Sequence, residues 1–116
     1  MLFKEEHKKM ILENRKTQTR RIWKKPRVKV GGIYKAKTKM LSKDYFAKIK
    51  VIQLFKQKLA DMTHTEVWKE GYSNIIEFQD IWRKINGTWN PHQEVDVIEF
   101  EVVERGLNLA STQERD

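Results

Sequence analysis

The run Glu94-Val95-Asp96-Val97-Ile98-Glu99-Phe100-Glu101-Val102-Val103-Glu104 decides the fold of this chain. It has the two-residue period of a β-strand, with Asp96, Ile98, Phe100 and Val102 on one parity and Val95, Val97, Glu99, Glu101 and Val103 on the other. Both parities are largely apolar, so neither face suits water, and the strand is expected inside a barrel. Upstream, Tyr45 to Phe55 places Tyr45, Ala47, Ile49, Val51 and Phe55 on one parity and Lys48 and Lys50 on the other, the pattern of a sheet with one wet face. Ile33 to Lys39 alternates in the same way behind a Gly31-Gly32 turn, whereas Lys16 to Pro26 shows no helical period.

Helices fill the remaining segments. Lys4 to Asn14 reads as a short helix with Phe3, His7, Met10 and Ile11 near one face and Asn14 as its terminator. Thr63-His64-Thr65-Glu66 has the spacing of a capping box and opens a helix expected to end near Gly71. Asn74 starts another, with Phe78, Ile81, Trp82 and Ile85 as its buried stripe and Gly87 as its end. The resulting order predicts an α+β fold: a small, mostly antiparallel β-barrel with an N-terminal helix and two helices before the last strand. Residues 1–104 read as one domain and 105–116 as a polar, frayed tail.

Composition narrows the class further. With 116 residues, 39% hydrophobic content, four Trp, three Tyr and five Phe, the chain can build a core. Its longest segment without Asp, Glu, Lys or Arg, Ile85 to Gln93, is far shorter than the roughly 18 apolar residues of a membrane span. The opening Met1-Leu2-Phe3-Lys4-Glu5-Glu6 has no secretory apolar region, and a cytoplasmic protein without membrane association is expected. The absence of Cys excludes disulfides, thiol catalysis and Cys-ligated zinc. His7, His64 and His92 stand in no i, i+4 relation, and Gly31-Gly32 lacks the spacing of a phosphate loop, so no metal or other cofactor is expected.

The net charge of +8 conceals an asymmetry. Residues 1 to 58 hold 19 of the 24 basic and 4 of the 16 acidic residues, a local charge of +15, against −7 for the rest. Basic stretches of this kind engage phosphates, because Lys and Arg displace condensed counterions whatever the base sequence. The densest basic run, Arg15-Lys16 through Arg20-Arg21 to Lys24-Lys25 and Arg27-Lys29, is interleaved with Thr17, Gln18 and Thr19, which can hydrogen-bond, and with Trp23, which offers a stacking face. Trp23 and Trp89 lie in segments without periodicity, where base stacking and packing are both open; Trp68, Trp82 and Phe78 are assigned to packing.

One motif carries recognisable character. Ile11-Leu12-Glu13-Asn14-Arg15-Lys16-Thr17-Gln18-Thr19-Arg20-Arg21 resembles the signature of the ASCH domain family, a PUA-like β-barrel superfamily, whose usual form is an apolar pair followed by Gly-Arg-Lys-Thr-x-Thr-x-Arg. Val30-Gly31-Gly32-Ile33-Tyr34 resembles its Val-Gly-Asp strand entry, and Glu70-Gly71-Tyr72 with Phe78 and Trp82 its Glu-Gly-aromatic helix pair, so the resemblance runs from about Phe3 to Val103. Two positions depart: Asn14 stands where Gly is common, which Asn tolerates because it accepts a left-handed backbone, and Gly32 replaces the usual Asp.

The resemblance implies a cleft between barrel and helices, RNA binding, and in some small members an amidohydrolase activity that removes the acyl group from acetylated cytidine through residues matching Lys16, Thr19 and Glu70. A Thr hydroxyl needs a base to take its proton, and a Lys serves only if desolvation or nearby cations lower its pKa. Arg15, Arg20 and Arg21 offer such a field. An ionised Glu70 close to Lys16 would oppose it, so Glu70 is expected at the leaving-group side as general acid. The competing readings are a solvated Lys16, a Thr19 bonded to its own loop and a surface Glu70.

Three functions follow. The first is RNA binding, with Arg15, Lys16, Arg20, Arg21, Trp23, Lys24 and Lys25 as the nucleic-acid contacts. The second is the amidohydrolase, with a modified nucleoside as ligand. The third is a non-catalytic small-molecule or protein-binding scaffold, because fold does not fix function.

Overall fold

The Glu94–Arg105 strand, β4, lies between β1 (Gln18–Arg21) and β3 (Ala47–Lys58), and β2 (Ile33–Ala36) completes the sheet beside β3. The computed structural model describes residues 1–106, and within it this sheet has the order β1-β4-β3-β2, with every neighbouring pair antiparallel. Three helices join it: α1 (Glu5–Leu12), α2 (His64–Lys69) and α3 (Ile75–Asn86). The architecture is the expected α+β arrangement, with one helix before the sheet and two ahead of the last strand, and its antiparallel sheet forms a half-barrel.

The double apolar parity of β4 has its cause in this position. Val95 and Val97 pack with Val67, Phe78 and Trp82 from α2 and α3, while Ile98 packs with Val28 and Val51. Phe100 joins Phe3, Ile11, Phe46 and Ile49 in a further apolar cluster. Both faces of the strand are therefore covered, as a continuous apolar run requires. In β3 the alternation holds through Ala47, Ile49 and Val51, and then a bulge between Val51 and Gln53 shifts the register. Beyond it, Leu54 joins Val51 and Ile98 while Phe55 packs with the helices, so with Ala47 and Ile49 the strand serves three clusters and the bulge switches which parity faces each.

The N-terminal segment narrows the open side of the half-barrel. Leu2 forms a parallel bridge with Lys37 beyond β2, and its carbonyl accepts from the Arg21 guanidinium of β1 at 2.7 Å. At the other end β4 continues to Arg105, and buried Gly106 donates its N–H to the Phe46 carbonyl. The expected boundary at 104 falls within β4, and residues 107–116 of the expected tail lie outside the described residues. Among the described residues no helix is long and apolar enough to cross a membrane.

Candidate functional site

Two chain reversals bring the motif residues together. Asn14, at φ 59°, ends α1 in the left-handed region, and the N–H groups of Arg15 and Lys16 both return to the Met10 carbonyl. This turn directs Lys16 inward, and Thr17 then bonds to the Lys69 carbonyl through its N–H and to Phe100 N–H through its carbonyl. The second reversal ends α2. Gly71, at φ 99°, donates to Trp68 and Tyr72 donates to Val67, a Schellman ending that leaves Glu70 as the C-cap, pointing at Lys16. The opposite end of α2 carries the expected capping box between Thr63 and Glu66.

Lys16 Nζ donates to Glu70 Oε1 at 2.5 Å and to the Gln18 carbonyl at 2.9 Å, leaving one donor of a protonated amine unassigned. Glu70 Oε2 accepts from Arg20 at 2.9 Å, and Arg20 also reaches Glu66 at 3.0 Å and the side-chain oxygens of Gln18 and Gln57. Lys16, Arg20 and Glu70 are 2%, 5% and 3% exposed, so this is an interior network. Glu66 serves twice, since Oε1 closes the capping box and takes Gln57 Nε2 while Oε2 holds Arg20.

The network borders a cavity of about 510 Å³. Lys16, Thr19 and Glu70 all line it, together with His7, Tyr72 and an aromatic wall that includes Phe78 and Trp82. Burial pulls the Lys16 pKa below its ordinary value; Glu70 opposes the shift and Arg21 and Arg20 add to it. His7 Nε2 lies 2.6 Å from the Tyr72 hydroxyl. Desolvation, assisted by Lys16, lowers the His7 pKa to about 4, so the ring is neutral at pH 7. Burial raises the Tyr72 pKa, and that hydroxyl keeps its proton.

The three residues of the acyl-transfer reading thus share one concavity, with one change from expectation. Glu70 sits on Lys16 instead of standing apart from it, because the Schellman turn aims its carboxylate at two buried cations that need a counter-charge. The same pairing offsets the unfavourable place of a Glu at a helix C-terminus.

The expected nucleic-acid contacts divide into two groups. Lys16 and Arg20 face inward with their charge committed to carboxylates, so they are not part of an exposed basic rim. Arg15 is exposed and paired with Glu13; Lys24 and Lys25 are exposed beside Trp23, which with Arg21 lines the cavity. Trp89 packs edge-on against Phe78 and Trp82. Trp68, expected in packing, is 57% exposed and rests on His64.

Sequence reasoning did not assign Gln18, Gln57, His7 or Tyr72 to the site, and it took Glu66 only as a cap. Their common signal is polarity at positions the fold buries or half-buries, which a sequence shows only once the register is known. Among the described residues no group of three or more His, Asp or Glu side chains is placed to hold a metal ion.

No protein-family model matches the chain, and no curated protein matches it by sequence. Solved structures do match. An ASCH domain from Lactobacillus crispatus JV V101 superposes with a TM-score of 0.69 at 13% identity, covering 84% of this chain and 70% of that one. A DUF984 protein from Enterococcus faecalis V583 gives 0.65 at 16% identity, covering 86% and 71%. ASCH from Zymomonas mobilis gives 0.60 at 11% identity, covering 97% and 75%. The fold is therefore of the ASCH type.

Proposed function

We propose, from the ASCH-type fold and the cavity built into it, that this protein is an amidohydrolase that removes the acyl group from N-acylated cytidine. The observation that carries the reading is the convergence of Lys16, Thr19 and Glu70 on one cavity, with Lys16 desolvated and held by Glu70 at 2.5 Å. A buried lysine whose pKa is lowered is suited to proton transfer, and a buried threonine facing a cavity is suited to attack.

In this reading the fraction of Lys16 that its lowered pKa leaves as free amine takes the Thr19 hydroxyl proton as Oγ1 bonds to the acyl carbon. The tetrahedral intermediate collapses, the carbon–nitrogen bond breaks, and the Lys16 ammonium returns its proton to the departing amine. Water, deprotonated by the same amine, then cleaves the Thr19 ester; the proton passes to the leaving hydroxyl and the carboxylic acid is released. Glu70, with both oxygens occupied, positions Lys16 and stabilises its charged state between steps. The aromatic wall of Phe78 and Trp82 suits a planar base. Incubation with N4-acetylcytidine tests this: cytidine and acetate should accumulate with the wild type and not with Thr19→Ala.

A second reading, RNA binding, is supported by Lys24 and Lys25, exposed in the same segment as the cavity-lining Trp23 and Arg21. It ranks below the enzyme because Lys16 and Arg20 are occupied internally.

A further inference from the structure

Arg21 is an unbalanced, half-buried charge of a cavity whose lining also includes exposed Lys4 and Glu5. Lys16 and Arg20 each hold a carboxylate, but among the described residues Arg21 has no carboxylate within ion-pair distance. Its guanidinium donates to the Leu2 carbonyl at 2.7 Å and lies 4.9 Å from the centre of the Phe3 ring. Burial lowers its pKa, and Glu70, the one carboxylate that attracts it at longer range, is already shared by two other cations. A guanidinium stays charged in any protein environment and has five donors, most of them here without an assigned acceptor. Arg21 is half-buried, and a partly desolvated cation without a counter-ion gains most from an anion that joins it.

Its placement fixes where such an anion would lie. Thr19 and Arg21 are two residues apart on β1 and both line the cavity, so alternation sends them to the same side of the strand, about 7 Å apart along it. A ligand reacting at Thr19 therefore reaches Arg21 with a group several bonds away from the reacting amide. Phe3 and Trp23, beside Arg21, and Phe78 and Trp82 across the cavity leave flat apolar surface between.

We infer that the cavity takes a nucleoside 5′-monophosphate, with Arg21 binding the phosphate monoester by its guanidinium fork while the base reaches Lys16 and Thr19. The nucleoside part of this assignment rests on the amidohydrolase reading; the anionic group rests on Arg21. Arginine suits the role because its planar fork matches phosphate oxygens two at a time.

Calorimetric titration of the wild-type protein with cytidine, cytidine 5′-monophosphate and a short oligocytidine, with Arg21→Gln and Arg21→Lys alongside, tests the inference without turnover. The monophosphate should bind at least tenfold more tightly than cytidine. That advantage should disappear in Arg21→Gln and be partly kept in Arg21→Lys. Equal affinities in the wild type, or an advantage undiminished in Arg21→Gln, would overturn it. An oligonucleotide that binds more tightly than the monophosphate through Arg21 would also overturn it, in favour of a chain phosphodiester. Tight monophosphate binding without cleavage of acetylated substrate contradicts the hydrolase reading alone; cleavage with no gain from the phosphate contradicts the Arg21 site alone.

Discussion

Lys16 Nζ and Glu70 Oε1 meet at 2.5 Å in the interior, joining the turn after α1 to the end of α2 across 54 positions of sequence. The contact fixes the cavity wall, and removing one partner strands a charge. Glu70→Ala leaves Lys16 and part of Arg20 without a counter-charge, and should lower unfolding free energy by about 3–5 kcal/mol. The pair replacement Lys16→Met with Glu70→Leu should lose less, because no buried charge is left by Lys16. Chemical denaturation of both variants checks this, and a double variant less stable than Glu70→Ala contradicts it.

Stability should fall as pH drops through the window between the two His7 pKa values. The unfolded imidazole takes its proton near 6.5 and the folded one near 4, so between these values the unfolded chain binds more protons. His7 stability is therefore present above pH 6.5 and lost by pH 4. The loss amounts to roughly 2 kcal/mol after allowance for partial solvent screening. Lys16, Glu70, Arg21 and Lys4 supply the surrounding charge. Denaturation midpoints at pH 7 and pH 4.5 should differ more for the wild type than for His7→Gln; equal differences would count against this account.

Gly71→Ala should destabilise the protein by about 2 kcal/mol and disturb the site. The residue holds φ 99°, which side chains avoid, and an added Cβ would lie 2.8 Å from Met10 Sδ and 3.6 Å from Lys16 Cβ. Thermal melting gives the size of the loss, and an unchanged midpoint would show that the α2 ending does not depend on glycine.

Exposed Lys24 and Lys25 carry the electrostatic prediction. If they contact phosphates, the double change Lys24→Glu/Lys25→Glu weakens binding to unrelated structured RNAs about equally and flattens the salt dependence. Filter binding between 50 and 200 mM salt measures both effects. Binding by the wild type that does not weaken with salt removes the RNA reading.

Much of the fold was legible because it rests on local chemistry. The Thr63–Glu66 capping box, the Asn74 start of α3, the Gly87 ending at φ 89° and the two-sided apolarity of β4 are written in short spacings. β1 was missed for a physical reason. Its Gln18 and Arg20 are buried in hydrogen bonds and ion pairs and its Thr19 beside the cavity, not by apolar packing, so no hydrophobic period marks the strand. At the site, the resemblance supplied Lys16, Thr19 and Glu70 as types, but not the direct contact of Glu70 with Lys16. That contact depends on the angle at which α2 ends, which depends in turn on Gly71 and on the docking of Thr17 against Lys69. The solitary Arg21 was likewise hidden, because in sequence it is one of a dense run of cations.

The most direct measurement of the central claim is steady-state release of acetate from N4-acetylcytidine by the wild type, Thr19→Ser, Thr19→Ala and Lys16→Met, each first shown to be folded. The account predicts turnover by the wild type, retained in part by Thr19→Ser and reduced at least about a hundredfold in Thr19→Ala and Lys16→Met. Release by the wild type no faster than by Thr19→Ala would contradict it.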